Sequence, residues 1–181
     1  MFNFAHTFES LLLLPLHWHL CGLALVACLF FLDRTSKRGG IVAIFVWNLV
    51  GVFLHELAHL LVGILLCAKP SGFSLIPHRQ GDSVRLGSVS FRGLNAFNSL
   101  PVGLAPLGLI VAAFYAFQNW MEWFTPTLFS TAGMYFASFV LVYNALPSWQ
   151  DFKIAFGWKT VLLYGAAAIA AYEYMYPLYK G

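Results

Sequence analysis

The chain is a succession of long apolar runs separated by short polar breaks. The first run covers Leu11 to Leu32, and its later half, Leu20 to Leu32, is nearly pure hydrocarbon. Pro15, His17, Trp18 and His19 stand near its start, and Trp at that level suits a membrane–water interface. A polar turn follows, Asp33 to Gly40. The second run, Ile41 to Leu66, is long enough to cross a bilayer with some tilt. Leu100 to Phe117 opens with Pro101, Gly103 and Pro106, which predicts a broken start. Thr127 to Leu146 reads as a further span. The Ala-rich run Ile154 to Tyr172 ends in an aromatic cluster with Tyr174, Tyr176 and Tyr179. At roughly 20 apolar residues per span, the pattern predicts an all-α polytopic helical bundle of about five transmembrane helices.

One stretch differs in kind. Lys69 to Asn98 is polar and glycine-rich, and Ser83 to Phe91 alternates polar with apolar residues. That period of two predicts a short β-hairpin-like loop, too small to be a domain of its own. The whole chain, 1–181, is therefore expected to form a single transmembrane domain with its core at 41–151.

Composition agrees with a bilayer solvent. Hydrophobic residues make up 60% of the chain and charged residues 9%, where soluble domains carry about a quarter charged. A water-soluble chain of 181 residues has too little interior to hide that much apolar surface. The expected localisation is integral and multi-pass, with the lipid bilayer as solvent. The net charge of +3 is dispersed, which argues against a nucleic-acid partner and fits loops beside anionic headgroups. The basic residues of Asp33–Gly40 and of Lys69–Asn98 flank the same helix, so the positive-inside rule leaves orientation open. No basic segment precedes the first run, which is expected to be retained as a span. Cys21, Cys28 and Cys67 form no C-x-x-C pair and are expected as small buried hydrophobes. Neither a repeat nor an oligomeric state is legible.

The second run carries the chemistry. His55, Glu56 and His59 are ionisable groups inside a hydrocarbon span, where they are costly unless used. A four-residue separation puts His55 and His59 about 40° apart on one helix face, one turn from each other. Two imidazoles so placed can occupy two corners of a zinc site, with Glu56 beside them as acid/base. A catalytic zinc usually takes a third protein ligand. Among the other histidines, His17 and His19 flank Trp18 at a membrane edge, His6 is near the terminus and His78 lies in the polar loop. The remaining carboxylates are Glu9, Asp33, Asp82, Glu122, Asp151 and Glu173. Asp151 stands out because Pro147 ends or kinks the preceding helix, and irregular backbone at membrane depth is tolerated where it lines a protein cavity. An ordinary interfacial aspartate at a helix junction is the competing reading.

On two motifs the sequence resembles the site-two protease family of intramembrane metalloproteases. One is His55-Glu56-Leu57-Ala58-His59 in a predicted membrane helix. The other is Asn144-x-x-Pro147 followed by Asp151. The resemblance covers Ile41 to Asp151 and implies one Zn2+ per chain held by His55, His59 and Asp151. It also implies Glu56 as the catalytic acid/base, and Asn144 as a residue that holds substrate or stabilises the oxyanion. The Ser83–Phe91 loop is similar to the family's membrane-associated hairpin, which offers an edge strand to substrate. Gly103-Leu104-Ala105-Pro106-Leu107-Gly108 looks like the segment that opens the family's next helix. Two departures stand out: Phe152 follows Asp151 where the family has Gly, and the step from Pro147 to Asp151 is one residue shorter.

The implied activity is zinc-dependent endopeptidase cleavage within or near transmembrane segments of a membrane-protein or peptide substrate. Asn48 is a candidate to line a water path to the site. One alternative is a catalytically silent relative that binds or regulates a membrane partner. Another is a metal-ion transporter, although transport usually spreads ionisable groups over several spans, and here they concentrate on one helix and one junction.

Overall fold

The computed structural model describes residues 14–36, 38, 40–76, 78–80 and 83–180. His6, Glu9 and Asp82 lie outside the described residues, as do Leu11 to Leu13 of the first apolar run.

Helix α1, Leu16–Ser36, starts directly after Pro15, whose carbonyl accepts the Trp18 N–H at 2.9 Å. Its 21 residues reach about 31 Å, the thickness of a bilayer's hydrocarbon. The helix continues into the expected polar turn and ends at Ser36. The Thr35 hydroxyl donates to the Phe31 and Leu32 carbonyls, and the Ser36 hydroxyl donates to the Asp33 carbonyl. Asp33 is thereby a helical residue and is only 2% exposed. The buried positions of α1, Gly22, Leu29 and Asp33, form one stripe at helical spacing. Cys21 and Cys28 lie off that stripe and are exposed, as is Cys67. The expectation of buried thiols is corrected: on so apolar a helix the inward face is narrow, and small residues need not be on it.

Helix α2, Ile41–Leu65, carries the His-Glu-x-x-His pattern. It ends in a Schellman motif. The Cys67 N–H reaches the Ile64 carbonyl at 3.1 Å and the Ala68 N–H reaches Gly63 at 2.8 Å. The turn requires a left-handed residue after the helix, and Cys67 supplies it with φ 53°; a second left-handed residue, Lys69 with φ 52°, follows just beyond the turn. The chain then forms one long irregular hairpin. Strands β1 (Pro70–Ser74) and β4 (Ser88–Phe91) pair antiparallel at its base, and β2 (His78–Gln80) and β3 (Ser83–Arg85) pair beyond them. The hairpin lies against α2. Phe73 meets Phe53 edge to face at 6.4 Å, and the Phe91 ring occupies the space a side chain would need at Gly63. Asn98, 1% exposed, ties the return to the helix end by donating to the Leu66 and Gly93 carbonyls.

The run from Leu100 is broken as expected. Helix α3 (Ser99–Gly103) gives way to a 3-10 turn (Ala105–Leu107) and then to α4, Gly108–Trp123. Helix α5, Leu128–Tyr143, follows, capped at its start by Thr127, whose side chain accepts the Ser130 N–H. The Trp120 indole on α4 donates to the Ser130 carbonyl at 2.9 Å and so joins the two helices. Helices α1 and α5 lie side by side in the same direction: His19 meets Tyr135, Phe30 meets Phe139, and Asp33 meets Tyr143. After Pro147 come the short helix α6, Trp149–Ala155, and the long α7, Trp158–Lys180, bent by 58° from each other.

Among the described residues the chain is mostly helical, with two helices long and apolar enough to cross a membrane, or three if α6 and α7 are one bent span. Helices α4 and α5 have 16 residues each, about 24 Å, short of a full hydrocarbon thickness. Length alone therefore gives fewer spans than the five expected, because the proline breaks at 101, 106 and 147 remove a turn or more from the apolar runs.

Candidate metal centre

Three elements meet at the His-Glu-x-x-His helix. α2 presents His55 and His59 on one face, one turn apart, with ring centroids 5.0 Å from each other. The segment from Asn144 to Asp151, between α5 and α6, approaches from one side and α3 from another. The hairpin crosses over Glu56.

His55, His59 and Asp151 converge. The distance from His55 Nε2 to His59 Nε2 is 3.3 Å. From His55 Nε2 to Asp151 Oδ2 it is 3.3 Å, and from His59 Nε2 to Asp151 Oδ1 3.2 Å. His59 is 5% and Asp151 7% exposed. This is the one group of three or more His, Cys, Asp or Glu among the described residues that could hold a metal ion.

The donor chemistry fits a cation. His55 Nδ1 lies 2.8 Å from the Asn144 carbonyl oxygen and His59 Nδ1 2.7 Å from the Val102 carbonyl oxygen. A carbonyl only accepts, so each Nδ1 carries its proton, and a ring in its neutral form would present a bare Nε2 to the cluster. Two imidazole lone pairs and a carboxylate then face one another, an arrangement that repels unless a positive charge sits among them. The spacing fits as well: ligand bonds of about 2.0–2.1 Å give a tetrahedron with edges of about 3.3–3.4 Å.

Asp151 is held by the start of α6. Ser148 is its N-cap, with the Ser148 N–H donating to Asp151 Oδ2 at 2.6 Å and the Asp151 N–H to Ser148 Oγ at 3.3 Å. This reciprocal capping box fixes the carboxylate four residues after Pro147. Phe152, which stands where the resembled family has Gly, stacks on Phe156 at 6.1 Å and is 39% exposed, so its ring does not compete for the cluster. α6 is brought close by Gly103, where a Cβ would meet the Asp151 carbonyl oxygen at 2.6 Å.

A cleft of about 680 Å³ opens beside the cluster, lined by His55, Glu56, Asn144 and Asp151 together with Leu86, Gly87, Tyr143 and Trp149. Glu56 is 9% exposed and lies under Gly87, where an added Cβ would stand 3.0 Å from Oε1. Asn144 acts here through its backbone, as the carbonyl that holds His55. Its side chain fills the space above Gly51 and donates to the Val140 carbonyl at 2.8 Å. Asn48 is half-buried on α2 and is not among the lining residues. His19 pairs with Tyr135, and Asp33 with Tyr143. His17, Glu122 and Glu173 are exposed, and none of these groups belongs to the cluster.

Leu86, Gly87, Tyr143 and Trp149 carried no signal in the sequence reading. The capping pattern Ser148-x-x-Asp151 did stand in the sequence, and it would have marked Asp151 as a fixed first-turn residue.

No curated protein and no solved structure matches the chain. The family model described as Peptidase M50B-like matches residues 20–176, a span that contains the histidine pair, the hairpin, the broken helix and Asp151. The chain belongs to this family, and with it to the site-two protease group of peptidases.

Proposed function

We propose that the protein is a multi-pass intramembrane zinc metalloprotease that hydrolyses peptide bonds within or near transmembrane segments of its substrates. The observation that carries the reading is the triangle of His55, His59 and Asp151 donor atoms, with edges of 3.2–3.3 Å, next to Glu56 at the wall of an open cleft. Peptidase family membership supports it. Two long apolar helices support the membrane setting; in this reading the shorter apolar helices complete a bundle of about five spans, which local bilayer thinning accommodates.

His55, His59 and Asp151 would hold one zinc ion. When bound, zinc supplies Lewis-acid polarisation of the scissile carbonyl and lowers the pKa of water towards about 7. Glu56 takes a proton from the attacking water as its oxygen bonds to the carbonyl carbon. The same carboxyl then delivers that proton to the amide nitrogen as the C–N bond breaks. Asn144, beside His55, would offer the developing oxyanion the second N–H of its side-chain amide, the first being given to the Val140 carbonyl. A helical substrate hides its peptide bonds, so the cleaved segment must unwind, and the strand leading into Leu86–Gly87 offers backbone to an extended chain. A glutamate retained beside both histidines favours turnover over a purely binding role.

The test is Glu56→Gln in detergent-solubilised protein. The variant is expected to fold, to keep about one zinc per chain, and to cleave a reporter transmembrane peptide about 10²- to 10⁴-fold more slowly. Undiminished cleavage would sink the assignment.

A further inference from the structure

Each histidine of the cluster is held by a backbone carbonyl that a continuing helix would use for itself. In an α-helix the carbonyl of residue i accepts from the N–H of residue i+4. For Val102, whose carbonyl holds His59 at 2.7 Å, residue i+4 is Pro106, which has no N–H. For Asn144, whose carbonyl holds His55 at 2.8 Å, residue i+3 is Pro147, again without a donor. Residue i+4 is Ser148, and its N–H is taken by Asp151 at 2.6 Å. The two carbonyls come from different places, one within α3 and one at the residue that caps the end of α5, and the two segments share no sequence likeness beyond the proline placed after each. The outcome at both is the same: an acceptor-only group on Nδ1 that leaves Nε2 facing the cluster.

We propose that Pro106 and Pro147 are positioning residues of the metal centre. By withholding an N–H just beyond a helix end, each releases one main-chain carbonyl to lock one histidine in the Nδ1–H tautomer. An N–H at 106 would draw the Val102 carbonyl along the helix axis and join α3 to the 3-10 turn, at the expense of His59. An N–H at 147 would do the same to Asn144 and His55. The inference rests on the metal reading above, yet its structural half concerns ring protons and is measurable without metal.

The experiment compares wild type with Pro106→Ala, Pro147→Ala, and a protein carrying the α-hydroxy acid counterpart of alanine at 106, whose ester linkage also lacks an N–H. Zinc affinity is read by chelator competition. The protonated ring nitrogen of each histidine is read from 15N chemical shifts of the metal-free, folded protein. The alanine at 106 is expected to weaken zinc binding about three- to tenfold, at or below the usual range for an outer-shell partner. It should also move part of the His59 population to the Nε2–H tautomer while leaving His55 unchanged. Pro147→Ala should do the converse. The ester at 106 should restore both readouts. Wild-type affinity and tautomers in Pro106→Ala would overturn the proposal. So would an ester as impaired as the alanine, because the ring and not the missing donor would then be responsible. A wild-type protein that takes up no zinc would overturn the metal reading, and the tautomers of the metal-free series would still decide the role of the prolines.

Discussion

The Asp33 carboxylate on α1 accepts a hydrogen bond from the Tyr143 hydroxyl on α5 at 2.6 Å. Tyr143 also lines the cleft beside His55. Phe30 and Phe139 close around the Tyr143 ring, so a buried carboxylate is stabilised in an otherwise aromatic contact. The pair is a polar fastening between the first helix and the wall of the site.

Tyr143→Phe keeps the ring packing and removes only the donor. Leaving a buried carboxylate short of a hydrogen bond costs about 1–3 kcal/mol. The expected result is a lower unfolding midpoint in detergent with zinc content unchanged. An unaltered midpoint would mean that the bond adds nothing to the helix contact.

Ser148→Ala removes the oxygen that accepts the Asp151 N–H but leaves the Ser148-position N–H on the carboxylate. Loss of an N-cap costs about 1 kcal/mol, and here it loosens the residue that faces both histidines. Zinc affinity should fall severalfold by chelator competition, far less than in Asp151→Ala, which removes a ligand outright. Equal losses in the two variants would show that the cap, not the carboxylate, governs the site.

Gly103 and Gly165 make a matched pair. A Cβ at Gly103 meets the Asp151 carbonyl oxygen at 2.6 Å and the Ala155 Cβ at 2.8 Å, whereas nothing lies within 4 Å of one at Gly165. Gly103→Ala must push α6 away from α3, and overpacking of this kind costs about 1–3 kcal/mol. Gly165→Ala, in the interior of α7, should be neutral or stabilising by up to about 1 kcal/mol. Thermal unfolding and zinc content of the two variants check the contrast, and parallel behaviour would contradict the close approach of α6.

How much of this was legible in the sequence depends on the range of the interaction. The helix face shared by His55 and His59, the break at Pro101 to Pro106 and the hairpin after Lys69 follow from local periodicity and backbone chemistry, and they stand in the structure. The end of α1 was misplaced by a few residues because Asp33 looks like a loop residue until its partner, 110 positions away, is known. The exposure of Cys21 and Cys28 was missed for a related reason: on a helix apolar all round, periodicity does not say which side faces inward. At the site, the motifs named the residues that gather around Asp151. They could not name the Val102 and Asn144 carbonyls or Gly87, since a backbone atom or an absent side chain leaves no chemical signature in a sequence.

Gly87 provides a test of Glu56 that leaves every polar group of the site in place. A methyl added there would lie 2.8 Å from Glu56 Cγ and from Val52 Cγ1, and 3.0 Å from Glu56 Oε1. The hairpin or the glutamate must give way, since the three nearest atoms belong to Glu56 and Val52 and not to His55, His59 or Asp151. Displacing a reacting group by about 1 Å can cost about 10²-fold in rate. Gly87→Ala is therefore expected to bind zinc as wild type does and to lower kcat for a reporter transmembrane peptide by about 10- to 100-fold, with a smaller effect on KM. If KM rises and kcat holds, the Leu86–Gly87 segment contacts substrate without setting the pose of Glu56. If both stay at wild-type values, the hairpin yields freely and its closeness to Glu56 has no part in turnover.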